Sequence, residues 1–259
     1  MKPICLHDRD EIEQFLRQNH YLNLYALGDL DDFFWQYTTW YGYREADKIQ
    51  EIALVYTGTD YPVLLALTDH APTSMQALLQ AITPFLPRRF YSHLTDNLLT
   101  ALTPAYTAEN HGRYYKMALT DRAPMSTIDT RAVIQLTPHD LTELTEFYAA
   151  SYPGNWFDSR MLETGQYYAL RHGAELVCVA GIHVYSPRYK VAALGNITTR
   201  PNFRGRGLAT QVTAKLCQLL ATETNHIGLN VRADNAAAIS CYQKLGFEQC
   251  AIYYEYAFE

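Results

Sequence analysis

The sequence predicts an α/β (α+β) protein of two domains, with a mixed central sheet flanked by helices. Three observations predict it. Residues 191–199 and 226–232 are strand-like and are joined by a helical run at 208–220, which implies a parallel pair with a right-handed crossover. Two further strand-like runs, 166–171 and 174–185, turn at His172-Gly173 and add antiparallel strands before that pair. A strand–cap–helix opening occurs twice, about 130 residues apart.

The first opening has a strand at 3–6, Asp8 or Asp10 as the helix cap, and Ile12, Phe15 and Leu16 as the apolar stripe. A helix is expected at 22–29. The aromatic stretch 33–43 reads as core rather than a base-stacking surface, because no basic residue interleaves it before Arg44. Strands at 49–56 and 62–68, a helix at 73–81 and a strand at 114–119 follow. Residues 120–130 carry Asp121, Arg122, Pro124, Ser126 and Asp129 without apolar periodicity, as a linker would. The second opening has a strand at 132–136, Thr137 as cap and Pro138 at the first helical position. Leu141, Leu144, Phe147 and Tyr148 form its stripe. Along helix 208–220 the expected core residues are Leu208, Val212, Leu216 and Leu219. A helix at 235–245 and a strand at 251–258 complete the chain. The expected division is 1–121, a linker at 122–130, and 131–259.

A chain of 259 residues fits two domains of about 120–130 residues. It is 48% hydrophobic and 19% charged, enough apolar matter for real cores. The net charge of −6 argues against wholesale binding to nucleic acid or an anionic membrane. One region departs from this balance. Between Arg188 and Lys215 there are six basic residues and no carboxylate, a setting for a small polyanion. The five cysteines (Cys5, Cys178, Cys217, Cys241, Cys250) form no C-x-x-C pair, so neither a disulfide framework nor a metal site is expected. Free thiols, an early charged cluster at His7-Asp8-Arg9 and the lack of a long apolar run lead us to expect a cytoplasmic protein. Oligomeric state is open, a homodimer included.

The chemistry concentrates at Arg204-Gly205-Arg206-Gly207-Leu208-Ala209. Two glycines between a strand and a helix let the backbone approach a ligand closely. The first-turn amides of that helix have no partner within it and point outward, where an anion is favoured. Arg204 and Arg206 add charge. The spacing is not that of a dinucleotide fingerprint, since Thr210 takes the third small position, nor of a P-loop, since no Gly-Lys-Ser/Thr follows.

Downstream, Asn235, Ala238, Tyr242, Gly246 and Phe247 form an Asn-x-x-Ala-x-x-x-Tyr-x-x-x-Gly-Phe run. Together with Arg204, Gly207 and Ala209, this resembles the GNAT superfamily of N-acetyltransferases over about residues 131–258. The resemblance implies a mixed sheet whose two central parallel strands splay around acetyl-CoA. It puts the pyrophosphate on the amides of Gly205, Arg206, Gly207, Leu208, Ala209 and Thr210. It puts the pantetheine and acetyl carbonyl on the backbone of Ile197 and Thr199. It also makes Asn235 a pantetheine contact and Tyr242 the general acid for the departing thiolate. On a helix, Asn235 and Tyr242 share a face within about 20° and lie about 10 Å apart along the axis. With 21 tyrosines in the chain, residue type alone is weak support for Tyr242.

The general base is the open position, because residues 192–199 hold no carboxylate. His183, Glu163, Asp158 and Glu175 are the candidates, His183 for its pKa range. The expected reaction is direct attack of a small-molecule or peptide primary amine on acetyl-CoA. The alternative is a non-catalytic acyl-CoA sensor. The N-terminal half is expected to be a degenerate copy of the same fold.

Overall fold

The computed structural model describes residues 2–70 and 72–259. It divides into two compact units that interleave along the chain. Unit 1 comprises Met1–Lys116, Val231–Asp234 and Cys250–Glu259, and unit 2 comprises Met117–Asn230 and Asn235–Gln249. Both are mixed α/β.

In unit 1 the chain forms β1 (Ile4–Leu6), α1 (Arg9–Leu16), α2 (Leu24–Asp29), α3 (Asp32–Trp35), β2 (Thr38–Glu45), β3 (Lys48–Tyr56), β4 (Val63–Ala66), α4 (Thr73–Ile82), β5 (Phe90–Leu94) and the start of β6 (Ala108–Leu119). Asp8 caps α1, its carboxylate accepting from the amides of Asp10 and Glu11. The strands β1 to β4 pair antiparallel in succession, and β4 pairs parallel with β5 after the crossover through α4. Met75, Leu78, Leu79 and Ile82 of α4 are buried against Ala53, Val55, Leu64 and Ala66. The aromatic stretch splits into α3 and β2, and buries Phe34 and Trp40.

In unit 2, α5 (Ala123–Ser126) precedes β7 (Ile134–Gln135), α6 (Leu141–Ser151), β8 (Tyr168–His172), β9 (Glu175–Ser186), β10 (Val191–Thr199), α7 (Leu208–Glu223), β11 (His226–Arg232), α8 (Ala236–Lys244) and β12 (Phe247–Phe258). The strands β7 to β10 pair antiparallel, and β10 pairs parallel with β11 after the crossover through α7. A single turn of 3₁₀ helix at Pro138–Asp140 leads into α6, with the Asp140 carboxylate accepting from the Thr137 amide and hydroxyl.

Two expectations need correction within unit 2. On α7 the buried residues are Val212, Thr213, Ala214, Leu216, Cys217 and Leu220, while Leu208 is half-buried and Leu219 is exposed. At about 100° per residue, Leu208 and Leu219 fall just outside the buried arc, on the side of Val212 and away from Cys217 and Ala214. The strand expected at 132–136 pairs only at Ile134–Gln135.

The segment 122–130 is built into unit 2. The Arg122 guanidinium donates to the carbonyls of Ala221, Thr224 and Asn225, which closes the C-terminal end of α7. The Gln218 side chain donates to the Met125 carbonyl at 2.8 Å. The last residues of β12 belong to unit 1, where 254–258 pair antiparallel with β5. Phe258 stacks on Phe90 there, ring centroids 4.9 Å apart.

Candidate active site

The site is assembled where β10 ends and α7 begins. The parallel pairing of β10 with β11 runs from Val191↔His226 to Leu194↔Leu229 and stops, although β10 continues to Thr199. On its other side β10 stays paired with β9, through two irregularities of opposite sense. Between Ala193 and Leu194 the extra residue is His183 of β9. Between Gly195 and Thr198 the extra residue is in β10, where Asn196 has a positive φ of 54°. A bulge bends the strand that carries it. The bend comes directly after the last pair with β11, which opens a gap between the two parallel strands.

The sequence supplies room for this bend. A Cβ on Gly195 would meet the His183 imidazole at 2.0 Å, and a Cβ on its cross-strand partner Gly181 would meet the Tyr167 ring at 2.2 Å. Both positions are occupied by rings because both lack a side chain.

Beyond Thr199 the chain takes one turn at Pro201–Phe203 and reaches the arginine–glycine segment. Gly205 and Gly207 both have φ of 75°, the left-handed region that costs an L-residue about 1–2 kcal/mol. Nothing lies within 4 Å of where either Cβ would be, so the glycines serve backbone conformation and leave open space over the turn. Gly207 is the N-cap of α7, so no side chain covers the first-turn amides of Leu208, Ala209 and Thr210. The N-terminus of a 16-residue helix left open in this way favours an anion. Arg204 and Arg206 are exposed and lie on the turn itself. The Arg204 Nε donates to the Thr199 carbonyl at 3.2 Å, and an Arg206 Nη donates to the Asn202 carbonyl at 3.1 Å.

Asn235 caps α8, its Oδ1 accepting from the Ala238 amide at 3.1 Å. Tyr242 lies two turns on and is 7% exposed. Burial drives its phenol pKa well up, with Cys241, Tyr152, Cys217 and Cys178 adding to the effect. The phenol therefore keeps its proton throughout the neutral range. Cys178, among these neighbours, is bonded to the Thr199 hydroxyl at 3.1 Å, which puts Tyr242 near the end of β10.

The base candidates fare differently. Desolvation pushes the His183 imidazole down to about 4, so it is neutral at pH 7. The Asp158 carboxylate caps the 3₁₀ turn Ser159–Thr164 and is held by Arg160, one oxygen accepting at 3.0 and 2.6 Å. Glu163 and Glu175 are exposed. The structure thus brings Ile197, Thr199, Gly205, Gly207, Thr210 and Tyr242 to one end of unit 2 and singles out no carboxylate there.

Tyr148, Tyr167 and Asn196 were not singled out by the sequence. Tyr148 reads there as part of an apolar stripe, yet its hydroxyl donates to the Asn196 carbonyl at 2.8 Å. The available signal was Gly195-Asn196 inside an otherwise apolar strand, a pair that marks a bulge. Among the described residues, no group of three His, Cys, Asp or Glu side chains is arranged to hold a metal ion. Among the described residues, no helix is long and apolar enough to cross a membrane.

Residues 133–247 match the acetyltransferase (GNAT) family. A stretch of 62 residues is 42% identical to the ribosomal protein bS18-alanine N-acetyltransferase of Salmonella typhimurium. That stretch is 24% of this chain and 42% of the Salmonella protein, so the match spans less than half of that relative. Among solved structures, one assigned to the GNAT family from Novosphingobium aromaticivorans is 20% identical, with a TM-score of 0.65 over 93% of this chain and 98% of its own. A tandem GNAT protein from the clavulanic acid biosynthesis pathway is 12% identical, with a TM-score of 0.54 over 99% and 97%. At these identities the two structures speak to the fold.

Proposed function

We propose, for a chain whose C-terminal region carries the GNAT acetyltransferase fold, that unit 2 transfers an acetyl group from acetyl-CoA to a primary amine by direct attack. The observation that carries this reading is the parting of β10 from β11 after Leu194, in the strand that leads to a glycine-led helix N-terminus without a side-chain cap. A thin, elongated donor with a polyanionic end suits that arrangement. Its phosphates take the amides of residues 205–210 with Arg204 and Arg206 beside them. Its acyl arm enters the gap between the strands, along the backbone of Ile197 and Thr199, with Asn235 at the pantetheine.

The residues then divide the chemistry. The amine nitrogen forms its bond to the thioester carbonyl carbon, and the carbonyl oxygen takes the negative charge. The Ile197 N–H stabilises that oxyanion. As the carbon–sulfur bond breaks, the Tyr242 phenol gives its proton to the departing thiolate. The proton lost by the amine goes to His183 or to water. An imidazole pushed to about 4 is a weak base, which suits an amine that arrives neutral. The acceptor is a small-molecule or peptide amine. The Salmonella relative is named for acetylation of a protein alanine, so an N-terminal alanine peptide belongs in the first panel. Unit 1 is a degenerate copy of the same fold, for it repeats the strand order without the glycine turn.

The test is thiol release from acetyl-CoA against a panel of small and peptide amines. Turnover on any of them supports the transferase. A second reading, an acyl-CoA-binding module without turnover, is favoured by the lack of a carboxylate on β10 and the weak basicity of His183. Tight calorimetric binding of acetyl-CoA with no product on any amine selects it.

A further inference from the structure

The bulge in β10 is held by a hydrogen-bonded clamp that the catalytic scheme does not use. Tyr148 of α6 is 2% exposed, Tyr167 is 0% exposed and Asn196 is 5% exposed. The Tyr148 hydroxyl donates to the Asn196 carbonyl at 2.8 Å. The Asn196 carboxamide donates to the Tyr167 hydroxyl at 3.2 Å, and that hydroxyl donates in turn to the Ile182 carbonyl of β9 at 3.1 Å. Phe157 packs between the two tyrosines, its ring 5.2 Å from Tyr148 and 5.6 Å from Tyr167. The Tyr167 backbone is fixed as well, its carbonyl accepting from the Leu136 amide at 2.8 Å.

This clamp acts on one peptide. In a trans peptide the C=O and the following N–H point in opposite directions, and the chain has no cis bonds among the described residues. A carbonyl of Asn196 tied to Tyr148 therefore turns the Ile197 N–H away from Tyr148. The left-handed Asn196 backbone, at φ 54°, is a conformation that needs its surroundings to hold it. Both phenols are buried and stay protonated, so the Tyr148 donor is always available.

We propose that Tyr148 and Tyr167 are positioning residues, which lock the Asn196–Ile197 peptide so that the Ile197 N–H meets the acyl carbonyl of the bound donor. The proposal rests on the acyl-CoA reading of the site. It separates two functions along one ligand: the glycine turn recognises the phosphates, and the tyrosine clamp reads the acyl group.

The experiment compares acetyl-CoA and CoA affinities by calorimetry, alongside steady-state kinetics, for the wild type and Tyr148→Phe. The expected result is a wild type that prefers acetyl-CoA to CoA. Tyr148→Phe should lose that preference while keeping its CoA affinity within twofold. Its kcat should fall about 10- to 100-fold with little change in the KM for acetyl-CoA. Tyr91→Phe removes a comparable buried phenol from unit 1, where the hydroxyl donates to Glu255 at 2.6 Å. It serves as the control for lost stability and should leave kcat and the acetyl preference unchanged. If Tyr148→Phe does not fold, Asn196→Gly carries the same test, because it keeps the left-handed backbone and deletes the bond to Tyr167. A smaller loss of the acetyl preference is then expected.

Retention of kcat and of the acetyl preference in the folded variant overturns the proposal. So does equal affinity of the wild type for acetyl-CoA and CoA. A folded wild type that binds neither overturns the acyl-CoA reading itself, and that outcome is distinct from the other two.

Discussion

The two units repeat one strand order and differ at one turn. In each, a short strand and helices lead to antiparallel strands, the last of which crosses through a helix to a parallel partner. In unit 1 that parallel pair, β4 and β5, stays joined past the end of β4. The Thr95 amide donates to the Ala66 carbonyl at 3.2 Å, and the Thr95 hydroxyl accepts from the Thr68 amide at 2.9 Å. In unit 2 the parallel pair separates after Leu194 and Leu229, and a bulge bends β10 where it does so. The turn after β4 contains no glycine, whereas the turn after β10 holds two in the left-handed region. The topology is shared, and unit 2 adds to it a bulge beside the parallel pair, two positive-φ glycines and a helix end without a side-chain cap.

Tyr242→Phe should lower turnover about 100- to 1,000-fold, the usual scale for a general acid, and leave acetyl-CoA affinity within twofold. Thiol-release kinetics with calorimetry measure both, and an unchanged rate removes Tyr242 from its role.

The next effect belongs to unit 1 and concerns stability. Glu51 is 2% exposed, and burial raises its carboxyl to about 7 against an ordinary 4.5, with the Thr68 hydroxyl bond opposing and Asp69 adding to the rise. Asp29, also buried, is raised to about 8 by burial. A raised carboxyl favours the folded state in its neutral form. That contribution is complete below the ordinary pKa and is lost as pH rises through the folded one, here between about 4.5 and 7 for Glu51. Glu51→Gln should therefore stabilise the protein by about 1–3 kcal/mol at pH 8 relative to pH 4.5, with no change in CoA affinity. Urea unfolding at the two pH values checks it.

Returning to the turn of unit 2, Gly207→Ala forces an L-residue into φ 75°. A cost of about 1–2 kcal/mol should weaken CoA binding about 5- to 30-fold, as the cradle shifts to relieve it. Affinity measured by calorimetry at intact thermal stability tests this.

Thr95→Val deletes one of the stitches that keep β4 and β5 together and should cost about 1 kcal/mol. It should confer no CoA affinity on unit 1, because the glycines would still be absent. Gain of a second CoA site in titration would show that strand separation suffices by itself.

Much of the frame is legible in the sequence. The strands expected at 191–199 and 226–232 have the observed ends, and the helix expected from 235 begins where Asn235 caps α8. β5 was missed, because Ser92 and His93 interrupt an apolar run of only five residues. Leu219 was placed inside the core from periodicity, and it lies at the margin of the buried arc. Of the site, the arginine–glycine turn and Tyr242 were visible, while the Tyr148–Asn196–Tyr167 clamp was not.

The reason lies in the range of the interactions. A positive φ at Gly207, a cap at Asn235 or a crossover through α7 depends on residues a few places apart, so residue types in order carry the information. By themselves they determined the glycine turn, the two helices of the site and the strands around them. That a phenol at 148 holds the carbonyl at 196, and that residues 250–259 complete unit 1, follows from long-range packing and pairing. Those outcomes join residues tens of positions apart through packing and strand register, which no local pattern encodes.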